Sequence, residues 1–408
     1  MKKLHYGWVM VFSAMGILAV NSQPFYSFGL FLKAITEEQR WERGALALSL
    51  SIMMLVANPL SVLAGRMSDK YGPRFLVTIS GISSGTGFLL LSQVTALWQV
   101  YLIFGGLVAI GSATCGVPVT STIPRWFTKR RGMALGFIYA GMTIGGIIGP
   151  LLTGWIIRQF NWRWAMGAFG AMSLLVIVPL AQTLKRTPQD AGLTPYGEEP
   201  RKQITTMETV TGFTLKQAVK TARFWLFAGI LTCQFFIGQT IITHIAPHIT
   251  DLGLSEAIAA GVLSIYALTS MAGTFLSGII TERIGTRRTL LASFSLLLLM
   301  LVWLLFIQEV WMFYVLVIFY GLAFGILIPL QTAAPGEFFG LKSLGTISST
   351  MWLLGAVGGA TGPPLAGAIF DARGGYLYAF IISIGIAIIA IVLSSLLPRV
   401  NRRKGIAI

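Results

Sequence analysis

Twelve apolar runs constrain this chain more than any other feature, because each is long enough to cross a bilayer. A membrane-spanning helix needs about 20 mainly apolar residues. Runs of this kind lie at 6–31, 45–66, 75–95, 97–121, 132–157, 164–184, 224–248, 256–280, 289–308, 310–333, 344–370 and 376–397. Only 11% of the 408 residues are charged, whereas a soluble domain has about 25%. The sequence therefore predicts an all-α membrane protein with twelve transmembrane helices.

A short polar turn occurs twice in this apolar chain, first as "GRMSDKYGPR" (65–74) and again as "GIITERIGTR" (278–287). The recurring pairs are Gly65 and Gly278, Asp69 and Glu282, Gly72 and Gly285, and Arg74 and Arg287, each 213 positions apart. The same offset relates "GGIIGPLLTG" (145–154) to "GGATGPPLAG" (358–367). Two motifs in one register predict a duplicated chain. We expect an N-terminal six-helix bundle at 1–184, a cytoplasmic linker at 185–223 and a C-terminal six-helix bundle at 224–408.

Each part of the repeated turn has a physical use. Gly65 allows helices to approach closely, and Gly72 allows a positive φ in a tight turn. The Asp69 carboxylate has two candidate partners, Arg74 and a neighbouring helix N-terminus. The small residues of the second motif also let helices meet closely.

Lysine and arginine are concentrated on one side of the predicted helices. The termini, the two turns and the segments 125–131 and 185–223 carry the clusters, while the other loops have little net positive charge. Because positively charged loops stay in the cytoplasm, we expect both termini and the linker to be cytoplasmic. The net charge of +16 lies in short clusters between apolar runs rather than in one patch. We therefore expect no nucleic-acid partner.

Patterns that support catalysis or metal binding do not stand out in the sequence. We find no phosphate-binding loop, zinc-ligand spacing or nucleophile triad, and Cys115 and Cys233 both lie inside apolar runs. We expect a protein that is not an enzyme and that has no catalytic residue, metal or cofactor.

Two six-helix halves, each with a charged turn after its second helix, resemble the major facilitator superfamily. The loop between helices two and three of that family has the same order of glycine, acid, glycine and base. The resemblance implies two pseudo-symmetric bundles that rock about a central site and expose it alternately to each side. It also implies that the eight turn residues listed above form a conformational latch.

Five further segments resemble the bacterial monocarboxylate-porter and oxalate–formate-antiporter branch of that family. They are "YGWVMV" (6–11), "RWFTKRRGMALGFIYAG" (125–141), "NWRWAM" (161–166), "TPQDAGLTPYG" (187–197) and "HIAPHITDLGL" (244–254). The branch implies a small organic anion such as lactate or pyruvate, moved by proton symport or anion exchange. It also implies a bacterial inner membrane, where we expect a monomer whose partners are lipid, substrate and, in the symport alternative, a proton.

The chain departs from the animal monocarboxylate transporters at their functional cations. Aligned from Gly7, their lysine in helix one corresponds to Tyr26, and Lys33 matches a second lysine near the end of that helix. Their arginine in helix eight has no counterpart, since "AIAAGVLSIYALTSMAGTFLSGII" (257–280) is uncharged. An anion at the bilayer midplane normally requires a fixed cation, so the sequence leaves open how an anion would be bound.

Uncharged polar residues remain as candidates for the substrate site. Pro24 interrupts helix one among Asn21, Gln23 and Tyr26. The other candidates are Tyr139 in helix five, Gln239 and His244 in helix seven, Tyr266 in helix eight and Tyr320 in helix ten. Each residue taken alone also fits a simple hydrogen bond between helices, but together they are suited to line one cavity.

His244 has several possible roles. Histidine titrates near neutral pH, so His244 is a candidate carrier for a coupled proton. It also lies close to Pro247, where a gate or a helix-end hydrogen bond is an equal alternative. Two other functions stay open: efflux of a neutral or amphipathic compound, and a membrane sensor. A sensor needs a signalling domain, for which we expect no room in the short tails 1–5 and 398–408.

Overall fold

The structure, a computed structural model, describes residues 5–127, 130–196, 212–340, 343–398, 400–401 and 406–407. Within that part of the chain twelve helices are long and apolar enough to cross a bilayer, as the sequence predicts. They are α1 (Tyr6–Gln39), α2 (Arg43–Tyr71), α3 (Pro73–Leu91), α4 (Leu97–Thr122), α5 (Arg131–Gln159), α6 (Trp162–Ala181), α7 (Ala222–Asp251), α8 (Glu256–Ile284), α9 (Thr286–Leu304), α10 (Val310–Phe339), α11 (Leu344–Arg373) and α12 (Leu377–Leu396).

The remaining elements are short. One helical turn covers Leu215–Ala218, and 3-10 turns cover Ile123–Trp126 and Gln189–Ala191. Near the C-terminus β1 (Val400–Asn401) pairs antiparallel with β2 (Ile406–Ala407), with Val400 opposite Ala407.

The segment between the halves does not form the surface helix that part of its sequence suggests. The sequence "TLKQAVKTARF" suggests an amphipathic surface helix, but only the turn Leu215–Ala218 forms there. Thr221 then starts α7, because its hydroxyl accepts a hydrogen bond from the backbone N–H of Phe224 at 3.4 Å. Residues 197–211 of the predicted linker lie outside the described residues.

The chain divides into two compact units. The first contains 1–41 and 48–205, and the second contains 42–47 and 206–408. In the first unit α1 packs mainly on α5, and α3 on α6; in the second, α7 packs mainly on α11, and α9 packs equally on α10 and α12. The α1–α5 pair of the first half thus has its equivalent in the α7–α11 pair of the second. The first turn of α2 groups with the second unit, whereas the rest of that helix belongs to the first.

Glycines of the second repeated motif make these packing pairs possible. A Cβ added at Gly145 would lie 2.1 Å from the carbonyl oxygen of Ala19, and one at Gly358 would lie 2.0 Å from that of Thr232. Ala19 and Thr232 are themselves 213 positions apart. The motif acts as the sequence predicts, since small residues bring two helix backbones into contact in each unit.

We predict that Gly145→Ala and Gly358→Ala each destabilise the protein by roughly 1–3 kcal/mol, the usual cost of overpacking. The added methyl group has no room beside the facing carbonyl oxygen. Thermal unfolding of the purified protein in detergent measures the effect.

Gly136→Ala is the matched control, because Gly136 is also in α5 and a Cβ there would have no atom within 4 Å. In a helix, alanine is favoured over glycine by up to about 1 kcal/mol, so this variant should unfold no earlier than the wild type. Equal unfolding temperatures for Gly136→Ala and Gly145→Ala would contradict the prediction.

Candidate functional site

The first unit contains a small enclosed cavity beside the break in α1. It has a volume of about 20 Å³, which suffices for about one water molecule. The polar side chains that line it are those of Asn21, Ser84, Ser112 and Ser173. Pro24 also lines it, and because proline has no N–H, the carbonyl of Val20 loses its intrahelical donor at the cavity wall.

Irregular turns in two other helices reach the same cavity. In α4 a π-helical turn spans Ile103–Val108, and in α6 another spans Ser173–Ile177. Such turns often mark functional sites. The predicted residue Asn21 therefore lies in a pocket with both polar and apolar side chains, whose walls include three interrupted helices.

The other predicted site residues of the first unit do not line this cavity. Gln23 is buried toward α5, where a Cβ added at Gly149 would lie 3.0 Å from its Cα. Among the described residues the Gln23 side-chain oxygen has no hydrogen-bond partner. Tyr26 is partly buried in α1, while Tyr139 in α5 is 51% exposed.

Two predicted tyrosines meet in the second unit. The rings of Tyr266 and Tyr320 lie 6.0 Å apart and share a cavity of about 10 Å³. The Tyr320 hydroxyl donates to the carbonyl oxygen of Ile237 at 3.3 Å. The other residues lining this cavity are the aliphatic Ile241, Ile242, Ile245, Leu263, Leu316 and Val317. The lining is apolar apart from the two tyrosines.

A polar cluster in the second unit centres on Arg43, the first residue of α2, which stands just before the second apolar run of the sequence. Arg43 is buried, and its two terminal nitrogens contact the two carboxylate oxygens of Asp251 at 2.5 and 2.9 Å. One of these nitrogens also donates to the Tyr376 hydroxyl at 2.7 Å. The guanidinium carbon lies 3.8 Å from the centre of the Phe370 ring. A bidentate ion pair with a cation–π contact is among the strongest ways to hold a guanidinium.

The backbone around Arg43 is held as firmly as its side chain. The Asp371 carboxylate accepts hydrogen bonds from the backbone N–H groups of Arg43 and Gly44, at 2.9 and 2.8 Å. It thus caps the N-terminus of α2 with negative charge. A Cβ added at Gly367 would lie 2.5 Å from the Gly44 nitrogen, so α11 approaches this end of α2 closely because glycines face each other.

His244 belongs to the same cluster. Its Nε2 lies 2.8 Å from the carbonyl oxygen of Pro363, and its Nδ1 lies 3.2 Å from the Tyr376 hydroxyl. Since a carbonyl only accepts, Nε2 carries the proton. The Nδ1 atom then accepts from Tyr376, whose oxygen accepts from Arg43. The chain Arg43–Tyr376–His244–Pro363 is therefore complete when the imidazole is neutral.

Tyr376 lies between α11 and α12, and burial raises the pKa of its hydroxyl. The nearby guanidinium of Arg43 opposes this shift. Because the pKa remains raised, the hydroxyl keeps its proton at neutral pH and can donate to His244.

His244 lies on a different face of α7 from the residues that line the cavity of Tyr266 and Tyr320. Its ring faces α11 and the start of α12, whereas Ile241 and Ile245 face the Tyr266–Tyr320 cavity. Gln239 lies two residues before Ile241, and its side-chain oxygen is buried without a hydrogen-bond partner among the described residues. The second unit therefore separates the predicted residues into an apolar pocket and the Arg43 cluster.

The repeated turns adopt the backbone predicted for them. Gly72 has φ 82° and Gly285 has φ 84°, which L side chains rarely adopt. Gly65 lies in close contact with α4, where its added Cβ would be 3.2 Å from Val117, but Gly278 has open space around it.

The arginines of the turns reach matching partners. Arg74 donates from Nε to the Gln182 side-chain oxygen at 2.7 Å, and Arg287 donates to the carbonyl oxygen of Ser395. Gln182 and Ser395 are 213 positions apart, so each arginine ties the start of one helix to the end of another. The Asp69 side chain lies outside the described residues, and the Glu282 side chain is exposed.

A sequence model described as the Major Facilitator Superfamily matches residues 8–262 and 228–406. The chain belongs to the major facilitator superfamily. It is 26% identical over 382 residues to monocarboxylate transporter 13 of Rattus norvegicus, covering 93% of this chain and 86% of that protein. It is 23% identical to the agnestins efflux protein AgnL12 of Paecilomyces divaricatus, covering 75% and 67%.

The fold also matches a solved structure. A bacterial homologue of the human lysosomal transporter Spinster, in an inward-facing and unoccupied conformation, superposes with a TM-score of 0.76. The sequences are 17% identical and the match covers 97% of each chain, so this likeness concerns the fold alone. As a member of the major facilitator superfamily the protein is a transporter and not an enzyme.

Sequence reasoning missed the main charged cluster of this major facilitator protein. Arg43 stands beside Glu42 in "WERG", which reads as a balanced loop. A usable signal was present, since Asp251 and Asp371 each stand at the end of an apolar run. The sequence does not indicate which cation such an acid meets, because the residues are more than 200 and 300 positions away from Arg43.

We predict that Tyr376→Phe lowers the stability of the protein by about 1–3 kcal/mol, since it leaves buried polar groups of Arg43 and His244 unpaired. Unfolding with a chemical denaturant measures the change. Tyr378→Phe is the control, because the Tyr378 side chain is 51% exposed. A Tyr376→Phe midpoint equal to that of Tyr378→Phe would count against the hydrogen-bond chain.

Proposed function

We propose that this protein is a secondary active transporter of a small organic anion such as a monocarboxylate, working by proton symport or anion exchange with alternating access. The observation that carries the proposal is the buried guanidinium of Arg43, held bidentately by a carboxylate. Arg43 is a buried cation at the start of α2, whereas the sequence offers no cation within the helix interiors. The likeness to a protein named monocarboxylate transporter 13, over 93% of the chain, supports the same substrate class.

Chemistry favours an anion at this cluster. A charged substrate inside a membrane protein needs a fixed opposite charge, and the planar fork of arginine matches a carboxylate better than a lysine does. The hydrogen-bond chain from Arg43 to His244 adds a titratable group to that cation. Proton symport in this proposal uses His244, while anion exchange needs no proton.

The remaining assignments belong to the same proposal. The proposed substrate-binding residues are Asn21, Gln23, Tyr26, Tyr139, Gln239, His244, Tyr266 and Tyr320. The cavity beside Asn21 and the paired rings of Tyr266 and Tyr320 support this choice. The bundles 1–184 and 224–408, joined by 185–223, alternate between two states, and the repeated turns act as the latch. The protein is a monomer in a bacterial inner membrane with both termini in the cytoplasm.

Efflux of a neutral or amphipathic compound is the second candidate. The apolar lining around Tyr266 and Tyr320 favours it, as does the likeness to a protein named as an efflux protein. An apolar pocket with two aromatic hydroxyls suits a ligand that carries few charges.

Uptake into proteoliposomes tests the substrate class. We expect labelled lactate or pyruvate to enter vesicles that contain the protein faster than protein-free vesicles. With proton symport, an inward proton gradient drives accumulation; with exchange, a preloaded acid does so. Export of lipophilic cations without uptake of any short acid would show that the efflux candidate is correct instead.

We predict that His244→Gln abolishes accumulation driven by the proton gradient while acid-for-acid exchange continues, because glutamine cannot take up the proton. Initial rates with and without the gradient measure this difference. His5→Gln is the control, since His5 caps α1 and its ring contacts the Thr194 carbonyl within the first unit. Full gradient-driven accumulation by His244→Gln would remove this histidine from coupling.

A further inference from the structure

We propose that Arg43 is a recognition residue for the substrate carboxylate, and that Asp251 is an internal carboxylate which the substrate displaces. This inference rests on the proposed function and specifies how an anion is recognised. All of the residues involved, including the first turn of α2 at 42–47, lie in the second unit.

The two partners of the ion pair differ in burial, and that difference decides which of them can leave. The Arg43 side chain is 8% exposed and the Asp251 side chain is 24% exposed. A carboxylate that is already partly hydrated can turn into water at modest cost. A buried guanidinium that loses the carboxylate holding it bidentately is strongly unfavourable. Arg43 therefore exchanges one carboxylate for another and does not become unpaired.

The surroundings of Arg43 keep it in place during such an exchange. The Phe370 ring packs against the guanidinium group of Arg43, and the Tyr376 hydroxyl accepts a hydrogen bond from one of its nitrogens. Asp371 uses its two oxygens on the backbone N–H groups of Arg43 and Gly44. It anchors the helix end without competing for the guanidinium nitrogens that bind Asp251. The site is thus preorganised for a planar acceptor with two oxygens.

The same arrangement selects by charge. A neutral or cationic compound has no carboxylate, so it does not displace Asp251, and the ion pair between Asp251 and Arg43 stays intact. The Nδ1 atom of His244 accepts a hydrogen bond from the Tyr376 hydroxyl, and the ring is neutral in this bonding pattern. His244 is therefore not a second cation for the anion. His248 contacts the rings of Tyr376 and Phe380 rather than Arg43. Arg43 is accordingly the cation of the cluster that a carboxylate meets.

A second arginine–carboxylate pair provides a contrast within the chain. Arg163 contacts Glu38 at 3.2 Å and lies over the Trp162 ring, but its side chain is 29% exposed and that of Glu38 is 44% exposed. Both of its side chains are more exposed than those of Arg43 and Asp251, so water weakens this ion pair more strongly. It serves as a matched control for chemistry that is similar but more exposed.

Ligand-dependent thermal unfolding of the full-length protein tests the inference without relying on transport. Asp251→Asn removes the internal competitor, so lactate should raise the unfolding temperature of this variant at concentrations about tenfold lower than in the wild type. Arg43→Gln should abolish the lactate effect. Lactamide, which is neutral and similar in shape, should stabilise none of the proteins. Glu38→Gln should respond to lactate as the wild type does.

The outcomes separate this inference from the proposed function. If Asp251→Asn needs as much lactate as the wild type or more, or if lactamide acts as well as lactate, Asp251 is a structural partner only and the inference is overturned. Proteoliposome uptake by the wild type judges transport separately. A tenfold gain in lactate response by Asp251→Asn, lost in the double variant with Arg43→Gln, supports the inference even where uptake is absent.

Discussion

Water is absent from the interior of a bilayer, so a chain that crosses it must pair its backbone groups within each segment. Twelve long helices satisfy that constraint here. Three interruptions of the first unit occur beside polar side chains: Pro24 in α1 and the π-helical turns Ile103–Val108 and Ser173–Ile177 all border the cavity beside Asn21. Backbone irregularity and polarity coincide because carbonyls that leave the regular helix pattern need other donors. The most chemically varied part of the first unit follows from this constraint.

Duplication has preserved contacts as well as motifs. The pairs Gly145–Ala19 and Gly358–Thr232 are related by the 213-residue offset, and so are Arg74–Gln182 and Arg287–Ser395. The two halves differ at the start of their second helices, α2 and α8. The helices α2 and α8 begin at equivalent positions, but one starts with Arg43 and the other with Glu256. Ser255 caps α8 locally, whereas α2 depends on Asp371 from α11. One copy therefore acquired a long-range ion cluster in place of a local cap.

Local features were predictable because they depend on neighbours in sequence. Apolar runs indicated all twelve helices, and the repeated turn indicated positive φ at Gly72. Features that depend on which helix faces which were not predictable. Tyr266 and Tyr320 share a pocket, while His244 points to the other side of α7 and binds Tyr376. Residues a few positions apart on one helix face different neighbours, and the sequence does not say which neighbour each of them meets.

The sequence by itself determined the membrane class, the number of helices, the duplication and the family, since these follow from hydropathy, spacing and motif. Only the tertiary structure decided where the principal buried charge lies. Arg43 looks like a loop residue in the sequence because it stands outside the apolar run and beside Glu42. Folding brings it to Asp251, Tyr376 and Phe370. A charge can be buried only with partners that compensate it, and these partners come from distant segments that packing alone assembles.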